Sequence, residues 1–183
     1  MLKRFIARER TKMTDNGKIK IVVIDSREFM RGGYKLLIGK HSDFEVVGDA
    51  GKSAPGIRLV RELKPDVIMI NNNKHGISGI ETSQLIMDDN PKAGILLVSD
   101  AFSKELICRA VKAGVSGLLL EECIFGEQLS CGIRTVFKGE KYLCPKLMTV
   151  VANNWVNQAS TWVPTEVRGF SKCKAILKDI FLN

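Results

Sequence analysis

Four places in the chain set polar, chemistry-bearing residues directly after an apolar run. "IKIVVI" is followed by Asp25 and Ser26, "DVIMI" by Asn71, Asn72 and Asn73, "GILLV" by Ser99 and Asp100, and "GLLL" by Glu121. Carboxylates gathered at such ends can ligate a hard divalent cation or attack phosphorus as anionic oxygen nucleophiles. A hydroxyl such as that of Ser99 can hydrogen-bond a developing oxyanion. Asn71 stands where the second of these runs would deliver its reactive group. An amide oxygen carries no full charge, so Asn71 cannot form an acyl phosphate.

These residues depend on the elements that carry them. Residues 18–25, 44–50, 66–71, 93–100 and 117–121 are expected strands; most are near-continuous apolar runs, as strands covered on both faces require. Helices are expected between them. Ser26 is read as the cap of the first, with Phe29, Met30, Leu36 and Leu37 as its apolar stripe. The second, 54–64, turns Ile57, Val60 and Leu63 to one side; the third covers 80–90. The fourth follows a Ser103 cap and ends at Gly114, and the fifth covers 125–139. Strict alternation predicts an α/β fold with a five-stranded parallel sheet, doubly wound and flavodoxin-like, followed by a C-terminal helical extension. Strand carboxyl ends bind ligands in such folds, so Asp25, Asn71, Ser99 and Glu121 should converge at one edge. A flavodoxin-like or Rossmann-like enzyme is the rival reading. Against it, no G-x-G-x-x-G follows the first strand and no P-loop is present.

The chain has 183 residues, 45% hydrophobic and 26% charged, enough for one globular domain and an extension. No apolar run reaches the length of a membrane span, and the N-terminus has no secretory h-region. Five cysteines without a C-x-x-C pair read as reduced thiols, mostly core filler. The net charge of +8 is concentrated at the ends: Lys3, Arg4, Arg8, Arg10, Lys12 and Lys18 at one, Arg168, Lys172, Lys174 and Lys178 at the other. Residues 1–17 are expected to be a disordered basic leader, and Met13 looks like a natural start. Residues 18–143 form the expected domain, and 144–183 a linker and helical tail with helices at 145–159 and 172–182. Basic ends can contact nucleic acid weakly and without sequence preference.

Taken in order, "IKIVVIDSREFMRGGYKLLI", "FEVVGDA", "KPDVIMIN", "GISGIE", "ILLVSD", "AVKAGVSGLLLE" and "GIRTVFKGEKYLCPKL" resemble the receiver domain of bacterial response regulators, NarL/LuxR type. The resemblance runs from about Lys18 to Leu147. It implies a two-component phosphorelay module that takes a phosphoryl group from a histidine kinase onto an aspartate and then changes its contacts. Carried over residue by residue, it makes Asp25 and Ser26 the remnant of the acidic Mg²⁺ pair and Asn71 the phosphoacceptor position. Ser99 is then the phosphoryl-contacting hydroxyl, Leu118 the switch position, and Glu121 replaces the lysine that pairs with the phosphoryl charge. Lys74, His75 and Gly76 replace the Met-Pro-Gly turn. Only Asp25, Ser99 and the glycine keep the pattern.

Loss of the nucleophile, of the cation site and of the positive counter-charge read as three independent losses, with Glu121 as a repulsive charge. The expectation is a non-phosphorylatable pseudo-receiver, not an enzyme, with weak or absent Mg²⁺ binding and no other cofactor. It would be bacterial and cytoplasmic, acting through protein contacts with another regulator or with itself as a homodimer. Its surface is expected on the fourth helix, fifth strand and fifth helix, or on the first and fifth helices. "FSKCKAILKDIFLN" faintly resembles the first helix of a helix-turn-helix, which leaves a DNA-associated regulator with a truncated reader as the alternative. Two further arrangements stay open at the pocket. Asp25, Glu121 and Asp100 can form a different cation site, or Lys74 or Arg27 can fold inward to pair with Asp25 or Glu121; otherwise these side chains face water. His75 reads as an exposed loop residue.

Overall fold

The computed structural model describes residues 17–72, 78–149 and 151. Six strands form one sheet: β1 (Ile19–Ile24), β2 (Phe44–Ala50), β3 (Val67–Asn71), β4 (Gly94–Ser99), β5 (Gly117–Leu120) and β6 (Tyr142–Leu143). Their order is β2-β1-β3-β4-β5-β6 and every pairing is parallel. The helices are α1 (Glu28–Gly39), α2 (Ser53–Leu63), α3 (Gly79–Asp89), α4 (Lys104–Lys112) and α5 (Glu127–Phe137). Parallel strands need a crossover, and the alternation of strand and helix supplies one at each step. The strand order reverses beside β1, which puts a crevice at the carboxyl ends of β1 and β3.

The core lies on the central strands. Ile21 to Ile24, Val67 to Ile70 and Ile95 to Val98 are all buried, as runs without polar alternation demand. The sixth strand is a finding that sequence periodicity misses. It is two residues long, joined to β5 by hydrogen bonds from Tyr142 N to Ser116 O and from Cys144 N to Leu118 O. A two-residue strand has no pattern to read.

Helix α1 corrects two expectations. Its N-cap is Arg27, without a side-chain capping bond, and not Ser26. Its buried face is Tyr34 and Ile38, whereas Phe29 is 89% and Leu36 75% exposed. Tyr34 and Ile38, four residues apart, lie about 40° from each other around the helix and define one buried face. Met30 and Leu37 therefore lie at the edge of the buried face. Helix α4 matches its reading: Ser103 Oγ accepts from Leu106 N at 3.2 Å, and Gly114 closes the helix at φ +81°. Cys144 is core filler and Cys131 is exposed, but Cys108 is disulfide-bonded, which corrects the reading of all the cysteines as reduced thiols.

Backbone packing divides the chain into a unit ending at Cys144 and one beginning at Pro145. Of the second, residues 145–149 and 151 are helical. The leader 1–16, the loop residues Lys74, His75 and Gly76, most of the 145–159 helix and the 172–182 helix lie outside the described residues. Among the described residues, no helix is long and apolar enough to cross a membrane.

Glycine at 117 is required by close approach across the sheet. A Cβ there would lie 2.7 Å from Leu96 Cδ1 and 2.8 Å from Val136 Cγ2. Gly117→Ala is expected to lower unfolding free energy by about 1–3 kcal/mol through overpacking. Urea denaturation with an unchanged m-value is the check.

Candidate functional site

Asp25, which follows β1, is fully buried. A carboxylate taken out of water needs charge and hydrogen bonds to offset its desolvation. Arg27 supplies both from two residues away. Its backbone N–H and its Nε donate to Asp25 Oδ1 at 2.9 and 3.1 Å, and its Nη2 donates to Oδ2 at 2.8 Å. The guanidinium fork suits this two-oxygen grip better than an ammonium would. The same guanidinium then crosses to Glu121, just after β5, with Nη1 to Oε2 at 3.2 Å and Nη2 to Oε1. One cation thus joins the carboxyl ends of β1 and β5.

Asn71, at the end of β3, completes the cluster. It is 1% exposed, and its Nδ2 donates to Glu121 Oε1 at 2.6 Å. Only an amide does this: an ionised aspartate has no proton to give. The hydrogen bond to Arg27 is the main reason the Glu121 carboxyl sits below its usual range, with Asn71 acting the same way against burial. The Arg27 guanidinium is held above its ordinary value, first by the hydrogen bond to Asp25 and then by Glu121. Arg31, on α1, adds a contact that sequence reasoning missed: its Nη1 donates to the Asp25 carbonyl at 2.9 Å and its Nε to Asp49 at 2.8 Å. The available signal was spacing, since Arg31 lies one helical turn beyond Arg27.

Of the expected site residues, the structure brings together Asp25, Asn71 and Glu121, through Arg27. Ser99 is buried beside them but outside the ion-pair network, 3.2 Å from the Asn72 carbonyl and 3.3 Å from Asp100 Oδ1. Ser26 is exposed. Leu118 is buried within β5, paired with Leu97 and Leu143. Of the two inward-folding candidates, Arg27 takes the role; Lys74 lies outside the described residues. Glu121 is faced by both Arg27 and Asn71, the arrangement in which an inward-folding cation pairs with it. The three departures are therefore coupled, because Asn71 and Glu121 share a hydrogen bond and Arg27 bridges what remains.

Residues 21–126 match the response regulator receiver domain. The chain belongs to that family. Two relatives called oxygen regulatory protein NreC resemble this receiver. The one from Staphylococcus epidermidis is 31% identical over 144 residues, covering 78% of this chain and 66% of the relative. The one from Staphylococcus aureus is 32% identical over 143 residues, covering 78% and 65%. The match thus spans about two thirds of these relatives' length. Among solved structures, a LuxR-family two-component response regulator from Aurantimonas superposes with a TM-score of 0.71 at 25% identity, covering 76% of this chain and 99% of that one. This receiver is of the NarL/LuxR-type lineage, and the flavodoxin-like enzyme reading gains nothing from these likenesses.

Three outcomes are expected at the site. Arg27→Ala leaves the Asp25 carboxylate buried without its counter-ion. The cost should be about 2–3 kcal/mol, below that of a fully buried pair because the Arg27 side chain is 38% exposed. Asn71→Asp removes the donor to Glu121 and sets two carboxylates face to face, so it should destabilise by roughly 2–4 kcal/mol; adding Glu121→Lys should recover most of that. Urea melts of the variants give both. Because the Glu121 carboxyl is lowered from 4.5, its contribution is complete above that value and is lost as pH falls through its folded-state range. Wild type should lose stability below about pH 4.5, and Arg27→Ala should show a shallower acid slope over the same range.

Proposed function

We propose that this receiver works without phosphorylation, as a fixed module of a signalling or transcription-regulating circuit that acts by protein–protein contact. The observation that carries the reading is the Arg27 guanidinium between Asp25 and Glu121. It uses both oxygens of the one acidic residue kept from the family's cation pair. Mg²⁺ needs hard anionic oxygens in octahedral array. Here those oxygens already face a cation, and Ser26 and Asn71 supply no carboxylate. The donor set does not fit Mg²⁺.

Asn71 supports the same reading, since it offers no nucleophile at the phosphoacceptor position. Glu121 would repel an incoming phosphoryl group where the family's lysine attracts one. On this reading the chain carries no phosphoryl-transfer chemistry of its own. It acts in the cytoplasm, in contact with another regulator or a second copy of itself.

Incubation with acetyl phosphate and Mg²⁺, followed by intact mass and by amide chemical shifts with beryllofluoride, tests this. The expected result is no added phosphoryl mass and no shift at residues 25, 71, 99 and 121. A labile adduct, or beryllofluoride-dependent shifts at those residues, would contradict it.

A further inference from the structure

Helices α2 and α3 pack against each other and are pinned near their starts, where Thr82 Oγ1 donates to Ser53 Oγ at 2.8 Å. Towards their other ends the contact is an ion pair, with Arg61 Nε donating to Asp89 Oδ2 at 2.7 Å and both side chains exposed. A cavity of about 360 Å³ opens between the helices beside that pair. Its walls carry Ile57, Val60 and Ile86, each buried. Its rim carries Arg61, Lys64 and Asp89. The charge at this rim does not balance. Arg61 takes up Asp89, both of its hydrogen bonds converging on Oδ2. Lys64, at the left-handed cap of α2 (φ 45°), has no ion-pair partner among the described residues. Apolar walls favour a hydrocarbon body, and the excess positive charge favours an anion at one end of it.

We propose that the groove between α2 and α3 is a binding site for a small organic carboxylate with a branched or aromatic apolar body. The body fills the space over Ile57, Val60 and Ile86. The carboxylate accepts from the Lys64 ammonium at the rim, with the Arg61 guanidinium beside it. The volume lies at the lower end of the range for small-molecule sites, room for roughly a dozen non-hydrogen atoms. Inorganic phosphate or sulfate would satisfy the charge but leave the apolar walls uncovered. Opening the mouth costs little, because an exposed ion pair such as Arg61–Asp89 contributes little to stability. The groove is separate from the cluster of Asp25, Arg27, Asn71 and Glu121. One of its walls is α3, the helix that follows the strand ending in Asn71, so an occupant touches the element next in the chain to that cluster. Binding here is independent of whether residue 71 accepts a phosphoryl group, so either reading can fail without the other.

Titration of the full chain with phenylpropionate, read from the ¹³C methyl signals of Ile57, Val60 and Ile86, tests it, with phenylpropionamide as the neutral counterpart. Saturable shifts centred on those methyls are expected, with a Kd in the low-millimolar range or tighter. The amide should bind about 5-fold more weakly. Lys64→Gln should weaken the carboxylate about 5-fold and leave the amide unchanged. Asp89→Asn frees the Arg61 guanidinium and should tighten the carboxylate, which a purely structural role for that ion pair would not do. No saturable methyl shift at about 20 mM ligand, equal binding of acid and amide, native affinity in Lys64→Gln, or no tightening in Asp89→Asn would each overturn the proposal. So would the same methyl shifts on concentrating the protein alone, which would assign the groove to a second copy.

Discussion

A single guanidinium between two carboxylates is the constraint on which this site depends. Asp25 is buried at the point where the strand order reverses, and a buried carboxylate must be paired. Arg27 is the nearest residue able to pair it with a planar fork, and doing so draws the chain after β1 tightly back on itself. The entry to α1 follows from that grip. The helix begins after the arginine, and its buried face becomes Tyr34 and Ile38. The ion pair and the start of α1 are therefore adjacent in the chain, since Arg27 is the residue just before the helix.

The same pair explains why Asn71 and Glu121 occur together. An aspartate at 71 beside Glu121 would place like charges in contact over Asp25, which neither solvent nor one arginine would neutralise. An amide donates where an aspartate would repel. A lysine at 121 would compete with Arg27 for Asp25 and leave Asn71 Nδ2 without its acceptor. The cluster Asp25, Arg27, Asn71 and Glu121 is a self-consistent set, internally cross-linked by hydrogen bonds at 2.5–3.2 Å. A change at one member alters what its neighbours can tolerate, and for this reason the substitutions at the pocket are better understood as one exchange of cation than as separate decay.

The sheet and its flanking helices were legible because their signals are long: apolar runs of strand length, alternating with amphipathic segments, allow few topologies. The four strand ends were legible for the same reason, since a parallel sheet brings Asp25, Asn71, Ser99 and Glu121 to one edge. Sequence left Arg27 as one of two inward-folding candidates, with Lys74, because spacing cannot say which way a long flexible side chain turns. Tyr34 and Arg31 were missed. Their roles come from helix phase, and the phase was misread from Phe29 and Leu36, large apolar residues that in this fold face solvent. Strand β6 escaped because two residues carry no periodicity.

Manganese titration observed by NMR tests the central claim most directly, since Mn²⁺ broadens signals near any site it occupies. With Arg27 seated between Asp25 and Glu121, the Arg27 Nε–Hε signal should be protected from solvent exchange. No broadening should centre on residues 25, 71 and 121 at concentrations that saturate an ordinary carboxylate site. Site-specific broadening at those residues, with an Arg27 signal that exchanges as freely as that of an exposed arginine, would contradict the account.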